Sequence, residues 1–540
     1  MRSNKLTLAM AGSIAVPAML ANPVWAQNGG PPTVTGATPL QQTVFNAVLN
    51  MCVKDLDNVK LVGTQVNDLH DQCHAIAVSS LTNTGTQLTS ALGALQQVSG
   101  NQISTQGSLA TRVSAGQFGN ITGRLNALRL GSGFAATHGI TAFDGNPSDG
   151  SGLSASTGRP SFTNGSFNGP SGGGSPNGFT PVSFQTQGGL ITTDYSSDAP
   201  LRVAQAGAGG GGFAAGPVAV PNPWGLFLEG SYNSGHHDET ANEDKFNFHA
   251  TSVTAGLDYN FGSAVLGVSV GHDDYNAGIP ASGVNVSPSS ARVQGTTGSI
   301  YGAWFGQSWT VNAIATYGHL TTDLTRGVKY SVAYNGITDP DPQGTITDNC
   351  PAGNCVVSVD RVLRGSPGGS TAAVGVTAGY QYSVANFDLV PSLSFNYRRA
   401  KFDSFNESDA NGDATNGLGL AFNDQTVESA RSILGLDMSR PVSTSFGVVT
   451  PLVRVEWNHE FKTGVRTIQA HYVFDPTANG VCDSCFRLPT DAPAGNYGIA
   501  GAGLSVTLPH RIQLYVYDEA LFGFSNYHSN SVTLGLRGQL

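Results

Sequence analysis

The chain of 540 residues is too long for one small domain, and its composition is unlike that of an ordinary soluble enzyme. Glycine occurs 70 times and charged residues make up only 11 %, against roughly 25 % in typical globular domains. A net charge of −10 argues against nucleic acid as a partner, because phosphate binding needs clustered Lys and Arg.

The N-terminus has the grammar of an export signal. Arg2 and Lys5 form a positive start, Leu6 to Leu20 is an apolar run broken at Pro17, and Val24-Trp25-Ala26 is a small-residue cleavage site. Residues 1–26 are therefore expected to be a signal peptide read by the Sec translocon, leaving Gln27 as the mature start. No later apolar run approaches the ~18 residues of a membrane helix, so a membrane location must come from strands.

Residues 27–130 are expected to be a short helical segment. Leu40, Val44, Phe45, Val48, Leu49, Cys52, Leu56 and Val59 recur at helical spacing, and the stripe resumes after Gly63 with Val66, Leu69, Cys73 and Ile76. Two helices folding back near Gly63 would bring Cys52 and Cys73 together, so a disulfide-stapled hairpin is the simplest reading. A third, weaker helical stretch runs from Ala91 to Leu130. Residues 131–222 then turn to Gly, Ser, Asn, Pro and Thr, a composition that cannot bury enough apolar surface to order itself. They are expected to form a disordered linker able to thread a pore.

From residue 223 to 540 the period becomes two. Val449, Val453, Val455, Trp457 and Phe461 alternate with Thr450, Arg454, Glu456, Asn458 and Glu460. The segments Phe387 to Tyr397 and Ala500 to Leu508 follow the same rule, and Val532, Leu534, Leu536 and Leu540 share one face of the last. About twelve such segments can be counted. They are joined alternately by short turns, as at Gly262-Ser263, Gly306-Gln307 and Pro509-His510, and by long polar loops, as at 234–245, 276–290, 321–365, 401–425 and 463–494. Short turns on one side and long loops on the other distinguish an all-β transmembrane barrel of antiparallel strands from a soluble sandwich. Arg431, Asp437, Arg454 and Glu456 fall on the polar face and are expected to line the lumen. Cys350 with Cys355, and Cys482 with Cys485, would close as local disulfides inside long outer loops.

These strands resemble the translocator barrel of autotransporters, the type V secretion proteins. The resemblance rests on Trp224 to Tyr232 as a first strand and "PLVRVEWNHEF" (Pro451 to Phe461) as a late one. "GAGLSVTL", "QLYVYDEALFG" and "SVTLGLRGQL" resemble the closing three, and the likeness spans about 222–540. "ALQQVSGNQISTQGSLATRV…FGNITGRLNALRLG", Ala94 to Gly131, is similar to the helical segment preceding the barrel in many members. The resemblance implies an outer-membrane location in contact with lipid, and assembly by the barrel-assembly machinery. That machinery would read Leu534, Leu536 and Leu540 as the C-terminal signal, although Leu540 stands where the family usually ends in an aromatic residue. The chain also departs from the family in lacking a long β-helix passenger. The function implied is a barrel that anchors, and possibly translocates, a short N-terminal passenger to the cell surface. The alternative is a channel or structural surface protein with a periplasmic N-terminal segment.

Other motifs carry less. Gly169-Pro170-Ser171-Gly172-Gly173 spells a nucleophile elbow but lies in low-complexity sequence rather than at a strand-to-helix turn. The run Gly207 to Gly212 has no βαβ context. His70, Cys73 and His74 have helical metal-ligand spacing, but Cys73 is better placed opposite Cys52. His236-His237-Asp238 in the first outer loop could touch a metal. No catalytic triad, paired carboxylates or cofactor motif emerges, so neither an enzyme nor a cofactor is expected. The ligand of the surface segment cannot be read.

Overall fold

The computed structural model describes residues 32–52, 63–129, 186–187, 190–191, 223–281, 288–306, 308–334, 355–384, 387–476, 485–508 and 512–539. The expected signal peptide, nearly all of the expected linker and Leu540 lie outside them. So do both glycine motifs, the turns at 385–386 and 509–511, and Cys350 and Cys482.

Twelve long antiparallel strands form a closed barrel. They are β1 (Trp224–His237), β2 (Phe246–Asn260), β3 (Ala264–Ile279), β4 (Ser289–Phe305), β5 (Trp309–Tyr334) and β6 (Gly368–Tyr380). The second half comprises β7 (Phe387–Phe402), β8 (Gln425–Ser439), β9 (Gly447–Glu460), β10 (Asn496–Leu508), β11 (Ile512–Phe522) and β12 (Tyr527–Gln539). Each pairs with the next, and β12 closes the ring on β1 in a register that sets Leu536 opposite Leu228. Closure removes the edges that an open sheet would expose. The short turns are tight. Between β2 and β3, Gly262 takes φ 93°, and its N–H donates to Asn260 Oδ1 at 2.8 Å.

Period-two patterning sets the two faces of the wall. Leu226, Leu228, Leu266, Val268, Val270 and Ile300 are exposed on the outside, as are Leu393, Leu434, Leu436, Val453, Leu504 and Leu534. Bands of exposed aromatics border this apolar belt. Trp224, Phe261, Trp304, Trp309, Tyr382 and Phe446 lie toward the short turns, while Tyr232, Tyr317, Phe395, Trp457, Phe461 and Phe522 lie toward the long loops. A belt of aliphatic residues between aromatic girdles is the surface a bilayer selects.

Among the described residues four α-helices precede the barrel: α1 (Pro39–Asn50), α2 (Thr64–Thr82), α3 (Gly85–Val98) and α4 (Ser104–Arg129). Helix α1 starts in a capping box, with Pro39 in its first turn, Thr38 Oγ1 accepting from the Gln41 N–H and Gln41 Oε1 accepting from the Thr38 N–H. Cys52 and Cys73 are joined, with Cα atoms 5.9 Å apart. The third helical stretch expected from sequence is two helices, split at Gly100 (φ 70°), against which Leu420 and Phe422 sit. A side chain at Gly100 would collide with both.

Two expectations need correcting. The segments 321–365, 401–425 and 463–494 are not merely polar loops. Strand β5 runs on to Tyr334, and Cys355–Gly365 returns along it. Residues 405–406, 420–422, 467–472 and 486–489 form a four-stranded sheet above the mouth. Apolar residues of these segments, including Val328, Tyr330, Leu420, Phe422, Ile468 and Phe486, share one buried core with Val44, Phe45, Cys52, Cys73, Ile76 and Leu95 of the helices. The second correction concerns the lumen. What crosses it is α4, which touches β1 to β8. Its first turns lie at the long-loop end, where Gln106 Nε2 donates to Thr322 Oγ1. Its last turns lie at the short-turn end, where Leu125 and Leu128 share a cluster with Phe227, Val265 and Phe305. The linker is not needed for the crossing, because α4 ends and β1 begins at the same end of the barrel.

Candidate functional site: the lumen and its helix

Helix α4 is held on one face by polar contacts and its own small residues, and on the other by Phe118, Ile121, Leu125 and Leu128. Arg124 forks onto Asp258 with two bonds of 2.7 Å, both side chains buried, and Tyr301 adds its hydroxyl to Asp258 Oδ2 at 3.1 Å. A bidentate guanidinium–carboxylate pair of this kind fixes direction as well as distance. Asn120 Nδ2 donates to Thr254 Oγ1 at 2.8 Å, and the Arg398 guanidinium lies over the Phe118 ring at 5.3 Å. Gly116 and Gly123 admit the wall. A Cβ at 116 would stand 2.7 Å from an Asp273 carboxylate oxygen, and one at 123 would stand 3.2 Å from Glu229 Oε2. Glu229 in turn accepts from Arg537 at 2.6 Å, a buried pair that spans the β1–β12 seam.

The four residues expected on the lumen wall lie on β8 and β9. Asp437 stands opposite Arg454 in the register and accepts from its Nε at 2.5 Å, while Glu456 Oε1 is 3.6 Å from Arg454 Nη1. Arg431 donates to the Tyr497 hydroxyl at 2.7 Å. Arg431, Arg454 and Glu456 face a cavity of about 770 Å³ beside α4.

At the long-loop end the helices are tied down by further polar contacts. Arg361 pairs with Asp68 of α2, and that carboxylate holds the guanidinium above its usual value. Tyr330 donates to Gln72 at 2.9 Å and Asn83 to the Ala333 carbonyl at 2.5 Å. Arg326 pairs with Glu407. His70 and His74 lie side by side within α2 with ring centroids 4.4 Å apart and planes tilted by 49°, but Cys73 is committed to Cys52. Cys485 is disulfide-bonded, its neighbours in the loop lying outside the described residues. Leu534 and Leu536 face outward on β12. His236, His237 and Asp238 do not converge as a trio, since the two imidazoles leave the strand on opposite sides.

Sequence reading missed Asp258, Glu229, Arg537 and the α4 residues that meet the wall. Glu229 and Asp258 were within reach of it, since both occupy the inward parity of strands whose outward parity is Leu226, Leu228, Val253 and Leu257. Nothing in the sequence said that Arg124 would meet Asp258.

A closed, lipid-faced barrel of twelve strands with a helix through its lumen defines an outer-membrane barrel protein. The autotransporter beta-domain family matches residues 226–517, more than half of the chain, and the chain belongs to that family. Solved structures similar to it include the translocator domain of the autotransporter NalP from Neisseria meningitidis, at 14 % identity and a TM-score of 0.41, covering 59 % of this chain and 89 % of that one. The transport unit of the autotransporter AIDA-I from Escherichia coli is similar at 13 % identity and a TM-score of 0.39, covering 61 % and 94 %. The beta domain of the Bordetella autotransporter BrkA is similar at 15 % identity and a TM-score of 0.35, covering 58 % and 99 %. No curated protein matches the chain.

Proposed function

We propose that this outer-membrane autotransporter-like protein holds a short helical passenger, residues 27–103, on the outer side of the membrane, with α4 as the tether through the pore. The observation that carries this reading is directional: α4 runs from the long-loop end to the short-turn end, and α1 to α3 share a core with the long-loop segments. Long loops of such barrels face outward and short turns face the periplasm. In this reading residues 1–26 deliver the chain to the Sec translocon and are removed. The barrel-assembly machinery inserts residues 223–540 into lipid, reading Leu534, Leu536 and Leu540 at the C-terminal strand. Residues 131–222 stay periplasmic and join α4 to β1. Asp437, Arg454, Glu456 and Arg431 give the lumen its charged lining. A hydrated, charged wall suits passage of a polar chain before α4 docks, and the docked helix then closes the path.

The test is whole-cell proteolysis with epitope tags near Gln27 and in the linker. The expected outcome is loss of the Gln27 tag to external protease, with the linker tag protected until the outer membrane is permeabilised. Protection of the Gln27 tag on intact cells, with cleavage only after permeabilisation, would sink the reading and leave a barrel with a periplasmic N-terminal segment.

A further inference from the structure

His237 is the last residue of β1, and its ring is fixed before any ligand arrives. It stacks on Phe246 with centroids 5.1 Å apart and planes 5° from parallel, and meets the edge of Tyr527 on another side. Its Nε2 points between two carboxylates, 3.9 Å from Glu243 Oε2 and 3.6 Å from Asp491 Oδ2. Both distances are too long for hydrogen bonds. The other atoms of the two acids are held. Glu243 Oε1 accepts from the Asp491 N–H at 3.0 Å, Asp491 Oδ1 accepts from Asn242 Nδ2 at 3.2 Å, and the Glu243 N–H donates to Thr240 Oγ1 at 3.0 Å. Asp491 Oδ2 is buried and has no hydrogen-bond partner. The side chains of His237 and Glu243 are 7 % and 5 % exposed, and that of Asp491 25 %. Arg466, the nearest cation acting on Glu243, spends a guanidinium N–H on Gln425 at 3.4 Å.

Three donor atoms converge without bonding one another, the two acids held through their other oxygens and the imidazole held by its ring contacts, which is how ligands are arranged. A buried carboxylate, Glu243, beside a partly exposed one, Asp491, also favours a positive charge between them. Ligands at about 2.0–2.2 Å on one ion stand roughly 3.0–3.6 Å from each other, so the two distances from the imidazole need only a few tenths of an ångström of contraction, and the three donor atoms lie within 4.8 Å of one another. All three residues border the lumen cavity, which gives an ion and its remaining water ligands a way in.

We propose that His237, Glu243 and Asp491 bind a divalent first-row transition-metal ion of the zinc class, which clamps the first outer loop to the loop between β9 and β10 at the mouth of the lumen. One imidazole nitrogen with two carboxylate oxygens and open positions for water suits such an ion better than the all-oxygen shell preferred by calcium or magnesium. The site concerns the barrel alone and stands whichever side of the membrane α1 to α3 occupy. A second group, His236, Asp238 and His528, lies back to back with the first on the exposed side of the seam and supplies the control.

The experiment uses the full mature chain, folded in detergent and stripped with chelator, with Co²⁺ and Zn²⁺ as probes. The expected result is one Co²⁺ per chain with visible ligand-field absorption, displaced by Zn²⁺. Zn²⁺ should also raise the temperature at which heat-modifiable migration is lost. H237Q, E243Q and D491N, each shown to fold by that migration, should each lose the absorption, and the H236Q/H528Q double variant should keep it. Absence of a bound ion in the parent chain would overturn the proposal. So would binding that survives all three inner substitutions and disappears in the outer pair.

Discussion

At the scale of single residues the barrel is a filter for where charge is tolerated. Leu393 is 55 % exposed on the lipid side of β7, while Ser394, one residue on, borders the lumen cavity. Leu393→Arg is expected to cost roughly 2–4 kcal/mol of insertion energy near the midplane and to reduce the heat-modifiable species in outer-membrane fractions. Ser394→Arg should assemble nearly as well as the parent, and equal damage from the two would mean that the register is wrong. The Arg124–Asp258 fork makes the complementary case inside the lumen. Arg124→Ala leaves the buried Asp258 carboxylate with only the Tyr301 hydroxyl, at an expected cost of about 3–5 kcal/mol. The double variant Arg124→Ala/Asp258→Ala should recover part of that loss, which thermal scans of heat-modifiable migration would register.

At the scale of elements the sharpest test concerns α4. It fits the lumen because Gly116 and Gly123 leave room where Asp273, Ser252 and Glu229 project inward. Gly116→Val should drive the helix off that wall while leaving the strands intact, and single-channel recording should show a larger open conductance than the parent. Unchanged conductance would mean that the wall yields instead. The same elements mark how far the sequence could be read. The strands were legible because a wall between lipid and lumen imposes a strict period of two, so Val453, Val455 and Trp457 separate cleanly from Arg454 and Glu456. Helix α1 and the staple between Cys52 and Cys73 were legible because an amphipathic stripe needs no distant partner to be recognised. The lumen helix was harder. One face is small and polar, with glycines where a soluble helix carries leucines, and the apolar face is the short stripe of Phe118, Ile121, Leu125 and Leu128, so α4 gave only a weak helical signal. The folded long-loop segments were missed for the opposite reason. Leu420, Phe422, Ile468 and Phe486 sit in runs too short for a period to show, and only the helices they cover explain why they are apolar. His237, Glu243 and Asp491 come from three separate segments, and no spacing rule joins them.

At the scale of the whole molecule the linker is longer than its task requires. Residues 131–222 connect two points at the same end of the barrel. A remnant of about 45 residues would still reach roughly 150 Å when extended, several times the 25 Å height of an apolar band. Deletion of residues 140–185 is therefore expected to leave insertion, α4 docking and the Cys52–Cys73 disulfide unchanged, as judged by heat-modifiable migration and by mass spectrometry of unreduced peptides. A failure to assemble would show that the segment does more than connect.

The closed ring of strands around α4 has a mechanical consequence. A single helix of about 10–12 Å diameter crosses the opening, while at one of its ends sits a three-helix body, cross-linked by Cys52 and Cys73 and wider than a single helix. The ring sits on its axle as a bead sits on a string knotted at one end. Cutting the linker would break the chain into two polypeptides without parting them, because the knot cannot retreat through the ring and the Arg124–Asp258 fork holds the axle from within. Release toward the outside would require that fork to open, and release toward the periplasm would require the knot to unfold or the β1–β12 seam to part. A nicked protein should consequently migrate as one particle in mild detergent and fall into two pieces once the Arg124–Asp258 fork and the other contacts of α4 with the wall are broken.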